Sequence, residues 1–166
     1  MTGRADWSAP DWETLQFAPS WITHMVMAST VGKADRNAVM AETDALLDYA
    51  ASGEGRLAQE VCMSIVQSFQ GGTSTGELPE LMRRFTADPR GSVRGLMEVR
   101  ELLEEKATPE NARTFKLAMM QIAEKVLAAL GEGPRLHRKK MRSNKMAAMD
   151  MVAKTLGVKT AGVGSQ

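Results

Sequence analysis

The stretch 108–130, TPENARTFKLAMMQIAEKVLAAL, decides the fold class. Thr108 carries the hydroxyl that caps a helix N-terminus, Pro109 suits the first turn, and Glu110 suits its positive end. Phe115, Ala118, Met119, Ile122, Val126 and Ala129 then fall on one face at helical spacing. Gly131-Glu132-Gly133-Pro134 stops the run. The reading is the longest helix of the chain, with one side packed on a core.

Outward from it the same signals repeat. Upstream, Ser92 is placed to cap a helix with Val93, Leu96, Val99 and Leu103 on one side. Leu78, Leu81, Met82 and Phe85 suggest a short helix ended by Asp88-Pro89, and GGTSTGE before it reads as a turn. Leu57, Val61, Ile65 and Phe69 stand four residues apart, a clear helical stripe. A helix over 37–51, with the stripe Val39, Leu46, Leu47 and Ala50, ends at Gly53. The helix over 20–32 carries Trp21, Ile22, Met25, Val26 and Ala28 and has little polar face, which marks a central, buried element. A short helix follows Ser8, with Pro10 in its first turn. Downstream, Ser143 is placed to cap a last helix with Met146, Met149, Val152 and Leu156.

The fold expected is all-α: a compact single-domain bundle of seven or eight helices over 1–158. Residues 1–16 form an N-terminal arm or short helix, and 159–166 a disordered tail. Composition agrees. The chain has 166 residues, aromatics are only 5%, and no segment keeps a period-2 alternation. One Cys excludes an internal disulfide framework and every four-Cys zinc site. The opening MTGRADWSAPDWETL has no apolar stretch of the secretory-signal kind, no run of 18 apolar residues occurs, and with a lone Cys the expected setting is cytoplasmic.

The segment 32–42, GKADRNAVMAE, carries the chemistry of most interest. Asp35 stands where the chain leaves one helix, and Glu42 follows seven residues on, in the second turn of the next. Two carboxylates near such a turn can converge on a hard divalent cation, which prefers oxygen ligands. The alternative is local: Asp35 caps the helix and Glu42 suits its positive end. An EF-hand loop is excluded, because counted from Asp35 its sixth and twelfth positions hold Met40 and Leu46 instead of Gly and Glu.

The run VGKADRNAVMAE resembles the motif of the TerB-like tellurite-resistance proteins, Ala-Asp-Gly with an acidic residue seven after the Asp. Ala34, Asp35 and Glu42 match. The stretch TPENARTFKLAMMQIAEKVLAA resembles that family's later long helix, and KMRSNKMAAMDMVAKTLGV its closing helix. The resemblance spans roughly residues 17–158. It implies a helical domain with two pseudo-repeated hairpins and a non-enzymatic role in a bacterial tellurite, metal or stress-response system. On that reading Asp35 and Glu42 hold one divalent cation (Ca, Mg, Mn or Zn), and the module binds a protein partner. Two departures are visible. Arg36 replaces the motif's Gly, and the second hairpin, GEGPRLHRKKMRSNK, retains Glu132 as its only acid. An enzymatic alternative places a metal-activated water at the same Asp35 and Glu42.

The near-neutral total of +1 hides an asymmetry. Residues 134–166 carry eight Lys and Arg against one acid, Asp150, whereas 1–133 carry 13 against 19. Arg135, Arg138, Lys139, Lys140, Arg142 and Lys145 form a basic run suited to an anionic surface: an acidic protein, membrane headgroups or nucleic acid. No aromatic lies within the run, which disfavours base stacking on nucleic acid. The other reading is a solvated loop, or one docked on the chain's own acidic face or on a second copy in a homodimer.

Most of the helical methionines, Met25, Met27, Met40, Met63, Met97, Met119, Met120, Met146, Met149 and Met151, are expected as core filler. His24 reads as a hydrogen-bonded core histidine and Cys62 as a small apolar residue. Neither Gly71–Gly76 nor Gly32-Lys33 is a P-loop.

Overall fold

Ser8 starts the first helix. In the computed structural model, which describes residues 6–30, 36–70, 91–130 and 138–158, its hydroxyl accepts from the Asp11 backbone N–H at 3.2 Å. The helices are α1 (Ala9–Gln16), α2 (Ala18–Thr30), α3 (Arg36–Ser52), α4 (Arg56–Gln70), α5 (Gly91–Lys106), α6 (Pro109–Ala129) and α7 (Arg138–Leu156). Among the described residues these seven are the regular elements, and no strand occurs. The short helix expected near 78–85 and the tail 159–166 lie outside the described residues.

The strongest local signals hold. Thr108 caps α6 by accepting from the Asn111 N–H at 3.2 Å. Phe115, Ala118, Met119, Ile122 and Val126 are buried on its inner face. Each large side chain so buried contributes about 1.5–3 kcal/mol. α7 ends in a paired cap at Gly157, whose φ is +78°: Val158 N–H donates to Ala153 O at 2.8 Å and Gly157 N–H to Lys154 O at 3.2 Å. That pairing satisfies carbonyls the helix would otherwise leave open, and glycine takes the left-handed angle without strain.

α2 is the central helix, as its apolar circumference predicts. It buries Ile22, Thr23, Met25, Val26 and Met27 and packs against α3, α5, α6 and α7. Its approach to α5 is close because Gly95 has no side chain: a Cβ there would stand 2.3 Å from the Trp21 ring. α1 belongs to the core and is not a loose arm. Trp12 and Leu15 are buried, and both the Trp12 indole N–H (3.2 Å) and the Gln16 amide (2.7 Å) donate to Ser64 Oγ on α4. Asp11 pairs with Lys106 at the end of α5.

Three expectations need correction. α7 begins at Arg138, not after Ser143. Between Pro134 and Lys145 there is no helix breaker, and Arg, Lys and Met sustain a helix well. On α3 the inner row is Ala38, Glu42, Ala45, Leu46 and Tyr49, joined by Ala50, while Val39 and Leu47 face solvent. Small alanines let α3 lie close to α4 and α6, and this packing outweighs the larger side chains on the other stripe. The methionines divide: Met25, Met27 and Met119 are buried, Met120 and Met149 are half-buried, and Met40, Met63, Met97, Met146 and Met151 are exposed.

Candidate functional site

α3 carries an acid where its row of core residues calls for an apolar one. Glu42 sits one turn after Ala38 and one before Leu46, both buried, and is itself only 9% exposed. Withdrawal from water penalises its charged form, so its pKa rises from an ordinary 4.5 to about 7. Across from it on α2 lies Thr23, only 3% exposed. The Thr23 hydroxyl draws the Glu42 pKa partly back down. It does so without closing a hydrogen bond of ordinary length, since Thr23 Oγ1 is buried with no partner. None of the ion pairs among the described residues reaches Glu42.

The result is a buried carboxyl on α3 beside a buried hydroxyl on α2. A buried polar group without a hydrogen bond costs about 1–3 kcal/mol, a cost that falls here on the Thr23 hydroxyl. Both donors are oxygens, which suits a hard cation as well as a proton. Asp35, the other acid expected here, lies outside the described residues. Among the described residues no group of three or more His, Cys, Asp and Glu side chains comes together as a metal site.

His24, one residue from Thr23, is half-buried, and burial lowers its pKa. Cys62 on α4 is fully buried, and burial pushes its thiol up to about 12. A buried thiol kept in its neutral form serves as a small packing residue.

The basic run is divided by the fold. Arg135 lies outside the described residues. Arg138, Lys139 and Lys140 lie in the first turn of α7, their side chains outside the description. Arg142 is exposed. Lys145 is turned to the protein's own backbone: its ammonium donates to Leu130 O at 3.1 Å, just past the end of α6. A cation on the last carbonyls of a helix also meets the negative end of its dipole. This lysine therefore serves as a clasp between α6 and α7. No helix among the described residues is long and apolar enough to cross a membrane.

Glu42 was singled out in the sequence, but its burial was not. The signal was present, since Ala38, Glu42, Ala45, Leu46 and Tyr49 form one helical row. Thr23 went unnoticed because a threonine within a buried helix looks unremarkable until its hydroxyl is found without a partner.

Compared with known protein families, with curated proteins and with solved structures, the chain shows no match.

Proposed function

We propose that this chain is a non-enzymatic helical binding module of the TerB-like kind, serving a bacterial tellurite, metal or stress-response system. On this reading one divalent cation is held at the junction of α2 and α3 by Glu42, with Asp35 as its companion acid. A protein partner then meets the outer face of α3, where Val39, Met40 and Leu47 are exposed beside the charged Arg36 and Asp44.

The observation that carries the proposal is Glu42 itself. An acid buried in a core row without an ion pair is costly, and it is better explained by a ligand than by packing. The unpartnered Thr23 hydroxyl beside it offers a second oxygen. A bound cation supplies positive charge there, which turns an unfavourable buried carboxylate into a favourable one. The role is one of binding and needs no open coordination position for a substrate.

Thermal melting of chelator-treated protein, with Ca²⁺, Mg²⁺, Mn²⁺ and Zn²⁺ added singly, tests it. A cation that binds only the folded state adds about 2.7 kcal/mol at 100 times its Kd, a plain rise in Tm. The expected result is a saturable rise with one cation that disappears in Glu42→Gln. An equal rise in the variant, or no rise with any of the four, overturns the reading.

A further inference from the structure

A groove of about 650 Å³ opens where α5 turns into α6 and α7 ends. Its volume falls within the 300–1,000 Å³ typical of small-ligand sites. Its apolar walls are Leu103, Ala107, Ala112, Leu117 and Val158, and Glu104, Arg113 and Lys116 complete them with charge. Leu117, on its rim, is 40% exposed.

Charged side chains lie along the groove beside the apolar ones. Lys116 lines it with a side chain only 12% exposed, and its ammonium reaches one carboxylate oxygen, Glu104 Oε1, at 3.4 Å. That same oxygen is held more closely by Arg100, at 3.1 Å. Two cations thus share one acid. Arg100 borders Gly157, a lining residue of the groove: its Nε lies 2.7 Å from where a Cβ on Gly157 would stand. Arg113, the remaining cation of the lining, is matched by Glu110 at 2.7 Å. Among the described residues Lys116 therefore shares its carboxylate partner with Arg100, and its side chain, 12% exposed, is bordered by apolar walls.

We propose that this groove binds a small amphipathic monoanion, an acyl or similar apolar chain ending in a carboxylate. The chain covers Leu103, Ala107, Leu117 and Val158. The carboxylate sits at Lys116 and supplies the counter-charge that Glu104 divides with Arg100. The Lys116 charge at the groove selects an anionic head group, and the apolar walls select a tail over a bare ion. The site is separate from Glu42 and does not depend on a cation there.

Octanoate is the probe, titrated into the full chain and followed by backbone amide shifts in ¹⁵N NMR. The expected result is saturable movement confined to residues 103–117 and 157–158. Lys116→Met keeps the buried stem and removes the charge, and it weakens binding about tenfold or more. Leu117→Asp, at the exposed rim, weakens it likewise while the spectrum stays that of the folded protein. Octan-1-ol, equal in tail and lacking charge, binds about tenfold or more weakly than octanoate. The proposal is overturned by the absence of saturable shifts at these residues, by unchanged affinity in Lys116→Met, or by octan-1-ol binding as well as octanoate.

Discussion

Replacing Glu42 with glutamine removes a buried acid whose charge is set by the bundle's interior. The folded-state pKa is about 7 against an ordinary 4.5. A shift of that size is worth about 3 kcal/mol, at about 1.4 kcal/mol for each pH unit. The sign follows from proton counting. Below about pH 4.5 the carboxyl is protonated in both states and costs nothing. From there to about pH 7 the unfolded chain releases the proton while the folded chain keeps it, so stability falls as pH rises. Above that the penalty is constant. Glutamine cannot ionise, so Glu42→Gln gains on the native protein by about 3 kcal/mol between pH 4 and pH 8. For a chain of this length that corresponds to about 6–12 °C in Tm. Urea unfolding of both proteins across this range, in chelator, measures the difference directly. Because it is taken between two proteins at each pH, the other titrating groups cancel. A flat difference, or one that shifts in favour of the native protein as pH rises, refutes the argument that Glu42 is buried without a compensating charge.

Two further substitutions test the packing. Gly95→Ala sets a helix-propensity gain of about 1 kcal/mol against a Cβ that meets the Trp21 ring at 2.3 Å. Overpacking of this kind costs about 1–3 kcal/mol, so a net loss in urea midpoint is expected, and a gain contradicts the close approach of α2 and α5. Lys145→Met breaks the bond to Leu130 O and costs about 1.5–3 kcal/mol, whereas Arg142→Met at the exposed neighbouring position stays within about 0.5 kcal/mol. Equal effects from the two would mean that Lys145 is simply another surface charge.

Much of the fold was legible because its signals are local. The Thr108 and Ser8 hydroxyls cap helices by accepting from backbone N–H groups three residues on, and Pro109 and Pro10 suit first turns. The inner face of α6 was legible for a related reason. Phe115, Met119, Ile122 and Val126 share one side with little competition from the other. On α7 the start was misplaced because Ser143 is a good cap that the helix does not need. Once Pro134 is passed nothing prevents an earlier beginning, and Lys145, inside the helix, bonds across to the end of α6.

The candidate site was half legible. Glu42 drew attention as an acid near a turn, and its burial follows from where α3 is pressed. The groove at the α5–α6 turn had no counterpart in the sequence. It joins Lys116, Glu104 and Arg100 with Gly157 and Val158, residues brought together by the return of α7.

By itself the amino-acid sequence determined that this chain is helical, where its clearest helices begin and end, and that α2 lies at the centre. Caps, breakers and apolar spacing act over one or two turns and need no partner. Which stripe of α3 turns inward was decided only by the tertiary structure. Two stripes compete there, one with Val39 and Leu47, the other with Ala38, Glu42 and Ala45. Close packing against α4 and α6 favours the small residues, and so carries an unpaired acid into the core beside the Thr23 hydroxyl.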